Sequence, residues 1–227
     1  MRVHVAFTPD EAERAPAAVV VDVVRATSTI AQALASGYRR VLCCAEVEEA
    51  RGLRERLGEG VLAGERRAEP IPGFDLGNSP REFAEPLGET LILTTTNGTR
   101  AIVAAAANAE SVLVGSLLNL GAVAAAARES GDDLEIVCAG LQGRFTIEDA
   151  YCAGRLAELI GGTRSDAAEA AVRLARSFAT AEEGLRASEN PEHAKLDEDI
   201  SWCARESVVD VVPRFARLEG PAAEIVA

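Results

Sequence analysis

Five polar segments interrupt an otherwise apolar chain, each beside an apolar run. The first is Asp22-Val-Val-Arg25-Ala-Thr27-Ser28-Thr29. An acid on a buried strand is costly unless it is paired or binds a metal. Here it precedes an arginine and three hydroxyls at the start of a helical pattern, where backbone N–H groups and hydroxyls can hold an anion. The plain alternative is an N-cap made by Thr27 or Ser28, with Asp22 paired to Arg25. The second and third segments, Gly64-Glu65-Arg66 and Gly73-Phe-Asp75-Leu-Gly77-Asn78-Ser79-Pro80, share one long loop. Alone, the Asn78-Ser79-Pro80 stretch is an ordinary turn. The fourth runs from Thr94 through Thr95, Thr96, Asn97, Gly98 and Thr99 to Arg100. It could cradle an oxyanion or a phosphate, but it lacks the Gly and Lys spacing of a nucleotide-binding P-loop. A hairpin turn is disfavoured by the Ala-rich helix that follows. The fifth contains Gly140, Gly143, Arg144, Thr146, Glu148 and Asp149. Thr146 reads as a helix N-cap with the two acids in the first turn, where the helix dipole favours them. The functional reading makes them ligands of a hard cation such as Mg²⁺, together with Asp22.

Histidine is nearly absent: His4 lies near the terminus and His193 in a charged C-terminal stretch. A Ser-His-Asp triad is therefore poorly supported. If the chain is a hydrolase, carboxylates and a metal must handle protons and charge. Four arginines, Arg25, Arg66, Arg100 and Arg144, each stand beside one of these segments, and a planar guanidinium fork suits oxyanions.

These segments need elements to position them. The pattern predicts strands over residues 18–24, 39–45, 61–63, 90–95, 111–115 and 134–139. Helices are predicted over 28–36, 46–57, 99–107, 118–129 and 147–160, with a long loop over 65–81 and a mostly helical C-terminal third. Alternating strands and helices indicate a three-layer α/β/α fold around a mainly parallel sheet. The strands are apolar throughout, so helices should cover both faces. Two stretches align without a gap, VVVDVVRATSTIAQALASGYRRVLCC and TLILTTTNGTRAIVAAAANAESVLVG. They match Asp22 with Thr94 and Arg25 with Asn97, as two similar βαβ halves would. Ligands bind at the carboxyl ends of such strands. The length of 227 residues fits one domain, or two fused lobes with a break near residues 85–90.

A formal charge of -13 argues against nucleic-acid binding, which needs a basic surface. No apolar run is long enough to span a bilayer and no signal-peptide pattern opens the chain, so the expected location is the cytoplasm. Lys195 is the only lysine; the composition fits a salt-adapted cytoplasm or a GC-rich coding bias alike. Five cysteines show no ligand pairing and read as small core residues. The default expectation for assembly is a homodimer.

Together the stretches VVVDVVRATSTI, AGERRAEPIPGFDLGNSPREF, LILTTTNGTRAI, VCAGLQGRFTIEDAYCAG and KLDEDISWCARESVVDVVP resemble the 2-phosphosulfolactate phosphatase family. They run in order over most of the chain. The resemblance implies an α/β/α, Mg²⁺-dependent acid phosphatase that hydrolyses 2-phosphosulfolactate to sulfolactate, a step toward coenzyme M in methanogens. Such a substrate carries a phosphate, a carboxylate and a sulfonate. The expected roles are Asp22, Glu148 and Asp149 for the metal, with Glu65 and Asp75 as reserve ligands, and Asp22, Glu65 and Asp149 for catalysis. Substrate binding falls to Arg25, Thr27, Ser28, Arg66, Asn78, Ser79, Thr95, Thr96, Asn97, Gly98, Thr99, Arg100 and Arg144. Two routes stay open, direct attack by water or an aspartyl-phosphate on Asp22. The haloacid-dehalogenase phosphatases use an Asp-x-Asp pair for the second route, but Val24 stands where the second Asp would be, which favours water. A phosphatase of another 2-phospho acid and a non-catalytic anion binder are the competing readings.

Overall fold

The computed structural model describes residues 1–227. Its strands are β1 (Arg2–Ala6), β2 (Ala15–Val21), β3 (Arg40–Cys44), β4 (Val61–Arg66), β5 (Glu69–Pro70), β6 (Thr90–Thr94), β7 (Ala109–Gly115), β8 (Leu134–Cys138), β9 (Thr163–Arg164), β10 (Arg214–Glu219) and β11 (Ala222–Val226). The helices are α1 (Ala26–Ser36), α2 (Val47–Leu57), α3 (Gly98–Asn108), α4 (Leu120–Ser130), α5 (Ile147–Ile160), α6 (Asp166–Arg176), α7 (Ala181–Arg186) and α8 (Asp197–Cys203). All strands join one sheet in the order β5-β4-β6-β3-β11-β10-β7-β2-β8-β1-β9.

The uniformly apolar strands are buried on both faces, as their sequences require. On one face Ala18, Val20, Val41, Cys43, Leu91 and Val112 pack under α1 and α3. On the other, Val19, Val21, Ile136 and Leu113 pack under α4, α5 and α6. Leu42, Leu62 and Ile92 pack under α2 there. The three-layer α/β/α expectation holds.

The sheet differs from a simple run of parallel βαβ units. One parallel block is β4-β6-β3 and the other β7-β2-β8-β1-β9. Between them lies the antiparallel hairpin β10–β11, which pairs with β3 on one side and β7 on the other. Three successive antiparallel steps set the two blocks in opposite senses. The aligned stretches are therefore reciprocal crossovers: β2-α1-β3 leaves one block for the other, and β6-α3-β7 returns. Strand twist of roughly 20° per step accumulates over the five steps from β6 to β2, turning their C-terminal ends toward each other.

Three expectations are corrected. The C-terminal third is helical only to Cys203 and then forms the hairpin. Its last strand carries buried Glu224, whose carboxylate pairs with Arg217 at 2.7 Å and Arg40 at 3.4 Å. β1 is a sheet strand that the sequence reading left out. The strand expected over 61–63 continues to Arg66, so Glu65 and Arg66 lie on β4 rather than in a loop. Gly64 permits this: a Cβ there would stand 2.0 Å from the Thr94 carbonyl oxygen of β6.

Candidate active site

β2 ends at Val21, and Asp22 begins the turn into α1. The turn is tied by its own hydroxyls. Thr27 Oγ donates to the Asp22 carbonyl (2.9 Å), Ser28 Oγ to the Val23 carbonyl (2.7 Å) and Thr29 Oγ to the Asn78 carbonyl (2.9 Å). β6 ends in the matching turn, where Thr95 and Thr99 each accept the other's backbone N–H through their hydroxyls, at 2.9 and 3.1 Å. Thr27, Ser28, Thr95 and Thr99 are all buried and committed to these turns. Their part is to shape the loops.

The two turns meet. A Cβ on Gly98, the first residue of α3, would lie 2.4 Å from Asp22 Oδ2 and 2.5 Å from the Ala26 Cβ. Glycine is required so that the start of α3 can touch the Asp22 carboxylate. Gly98→Ala should therefore leave a folded chain with a displaced carboxylate. A misplacement on the scale of 1 Å costs about a hundredfold in turnover, so kcat measured on this variant should fall by that order.

Five carboxylates line one small cavity with Arg25, Asn78, Asn97 and Gly140: Glu192 and, from the polar segments, the four acids Asp22, Glu65, Glu148 and Asp149. Arg25 is its only lysine or arginine. Two of these four acids are held as staples. Asp149 Oδ1 accepts the Val23 N–H (2.9 Å) and Oδ2 the Gly140 N–H (3.0 Å), joining the β2 and β8 loops. Glu65 accepts the Thr96 N–H (2.7 Å), the Thr96 hydroxyl (3.1 Å) and the Ala68 N–H (2.9 Å). The other two are less committed. Asp22 Oδ1 takes only a long bond from the Ala26 N–H, 3.3 Å. Glu148 Oε2 is buried without a hydrogen-bond partner.

Crowded burial shows in the electrostatics. Burial first, and then the Glu65 charge, push the Asp22 carboxyl up to about 7. Burial, and then Asp22 and Glu148, hold Asp149 well above the usual carboxylate range. A divalent cation would relieve this repulsion. The fit is to a cation that keeps much of its water. No three His, Cys, Asp or Glu groups converge as a ready-made cage, and Mg²⁺ characteristically takes only one or two protein carboxylates. Asp22 and Glu148 have the unspent hard oxygens for it.

The C-terminal region supplies a wall that the sequence reading missed. The turn Pro191–Lys195 brings Glu192 and Leu196 to the cavity and sets His193 Nε2 3.4 Å from Glu148 Oε1. Asp199, on α8, accepts from Arg25 Nη1 at 2.8 Å and from Ser79 Oγ at 2.5 Å. The cavity measures about 30 Å³ and two wider clefts flank it. One, about 430 Å³, is lined by Arg25, Asn78, Ser79 and Lys195; the other, about 360 Å³, by Arg144, Phe145 and Asn190.

Several expected site residues do not reach the cavity. Arg66 turns back to Thr94 Oγ1 (2.9 Å) and the Glu65 carbonyl (2.8 Å). Arg100 pairs with Glu46 at 2.7 Å on the surface. Arg144 lines only the smaller flanking cleft. Thr96 serves Glu65, and Ser79 serves Asp199. Asp75 is taken by Arg54 and by the Leu62 N–H, both at 2.8 Å.

Known proteins bear on what such a cavity does. Residues 5–217 match the family model described as 2-phosphosulpholactate phosphatase. The chain is 38% identical over 225 residues to a 2-phosphosulfolactate phosphatase of Methanothermobacter thermautotrophicus, covering 96% of this chain and 95% of that one. It is 35% identical to a probable 2-phosphosulfolactate phosphatase of Carboxydothermus hydrogenoformans, covering 97% and 95%. It is 38% identical to another of the same description in Thermotoga maritima, covering 93% and 94%. No helix is long and apolar enough to cross a membrane. With its sequence matched nearly end to end and its five polar segments folded around one acidic cavity, the chain belongs to the 2-phosphosulfolactate phosphatase family.

Proposed function

We propose that this protein hydrolyses 2-phosphosulfolactate to 3-sulfolactate and phosphate. The observation that carries the reading is the cavity in which Asp22 and Glu148 offer unspent carboxylate oxygens beside a single buried arginine. Mg²⁺ held by Asp22 and Glu148 would neutralise phosphate charge as the ester bond breaks. Asp149 and Glu65 keep the loops around these two acids fixed, because their own oxygens are bound to backbone N–H groups. Arg25 presents its guanidinium to the anionic substrate, and Asn78 and Asn97 add polar contacts at the wall. About 30 Å³ leaves room for water or an ion but not for a whole ester, since one water needs roughly 10–15 Å³ on this measure. The body of the substrate therefore extends into a flanking cleft. Water attacks phosphorus and gives up a proton, the P–O bond to the sulfolactate carbon skeleton breaks, and the released alkoxide takes up a proton in exchange.

Five buried free thiols are in keeping with a reducing, cytoplasmic setting. The deciding test is phosphate release from racemic 2-phosphosulfolactate, with Mg²⁺ and with EDTA. Release that EDTA blocks is expected. A folded protein that releases phosphate only from other 2-phospho acids would replace the substrate, and one that releases none from any phospho acid would replace the reading with an anion binder.

A further inference from the structure

We propose that Asp199 is a positioning residue for substrate binding, acting through Arg25; this rests on the phosphatase reading above. Arg25 is the only cation of a cavity lined by five carboxylates, and it also lines the wider cleft beside it. It is thus the one cation that lines both spaces an anionic substrate would span. A free guanidinium there would swing onto Asp22 or Glu65 and cancel the charges meant for a cation. The structure holds it elsewhere. Nη1 is bound to Asp199 Oδ2 at 2.8 Å, with both side chains only 8% exposed. Nη2 reaches the Ala68 carbonyl at 3.3 Å. Asp199 is itself fixed by Ser79 Oγ on its other oxygen. These contacts use two of the five guanidinium N–H donors, leaving the others available to the cavity and the cleft.

The arrangement joins three segments far apart in the chain. Arg25 precedes α1, Ser79 lies in the loop before a 3-10 turn at Pro80–Phe83, and Asp199 sits on α8, more than a hundred residues later. A residue that merely stabilised the fold would affect Tm and leave substrate affinity alone. A residue that aims Arg25 affects KM, and only while Arg25 is present.

The experiment is a double-variant cycle on the full-length protein with 2-phosphosulfolactate and Mg²⁺. Asp199→Asn should raise KM by about tenfold or more, as expected for losing a charge-assisted bond, with a much smaller change in kcat. Arg25→Ala should raise KM at least as much, and adding Asp199→Asn to it should change KM no further. Ser79→Ala, a milder variant that keeps the ion pair, should move KM in the same direction by less, and decides the matter if Asp199→Asn does not fold. Multiplying KM effects in the double variant, or an unchanged KM in Asp199→Asn and Ser79→Ala, would overturn the proposal alone. A wild-type protein inactive on this substrate would overturn the underlying reading, and the proposal with it.

Discussion

Asp22→Asn should lower phosphate release by about a thousandfold, on the scale seen when one charge-stabilising group is taken from an active site. The same substitution should make the metal-free protein more stable above neutral pH. The two effects have one cause. Asp22 stands at the meeting point of two turns, half-buried against Gly98 and beside Glu65 and Glu148. Its carboxyl is pushed from 3.8 to about 7 by burial and by those charges. Ionising it in the fold thus opposes folding, by an upper bound of about 4 kcal/mol at about 1.4 kcal/mol per pKa unit. Asparagine keeps the shape and removes that cost. The checks are a kcat measurement and a thermal melt at pH 8 in EDTA. Equal or lower stability of the variant, with activity retained, would remove Asp22 from the chemistry.

A second large effect is a reversal of pH dependence by Mg²⁺. Asp22 and Asp149 both bind protons more tightly in the fold than in the unfolded chain. For Asp22 the favourable contribution is complete below about pH 4 and is lost as pH rises through about 7. For Asp149, held well above the usual carboxylate range, the loss has the same sign. Metal-free protein should therefore lose stability from Asp22 across that window. A cation requires ionised ligands, so its binding strengthens as pH rises. At a hundred times its dissociation constant a ligand adds about 2.7 kcal/mol. The rise in Tm on adding Mg²⁺ should be several degrees at pH 8, small at pH 5.5, and absent in Asp22→Asn. A rise of equal size at both pH values would show that the cation binds elsewhere.

The sequence was informative where chemistry and local pattern coincide. β2-α1 and β6-α3 were legible because an apolar run, a polar turn and an Ala-rich helix follow one another, and both turns reached the cavity. Glu148 and Asp149 were legible as acids in the first turn of α5. What the pattern did not carry was commitment. Thr27, Thr95 and Thr99 look like ligand donors until their hydroxyls are seen spent on neighbouring backbone. Arg66 and Arg100 stand next to site residues in sequence but turn to other partners. Glu192 and His193 lie in a charged stretch with no signal beyond the 3-10 turn at Pro191, and Asp199 sits in a family-like stretch that gives no sign of its partner. Only tertiary packing brings them to the site. β10 escaped notice because it is mostly exposed, with charged residues at half its positions, so it lacks the apolar stripe by which a strand is read.

The position of that strand has a consequence for how the molecule is made. β10 and β11 follow the other nine strands of the sheet in chain order, yet they fill its middle. During synthesis the blocks built on β3 and β7 must wait with those inner edges unpaired, and open strand edges invite pairing with other chains. The nascent sheet thus depends on residues 214–226 as an arch depends on its keystone. A premature stop before Arg214 would remove none of the cavity acids, but it would leave two half-sheets with nothing between them, prone to join their neighbours instead of each other.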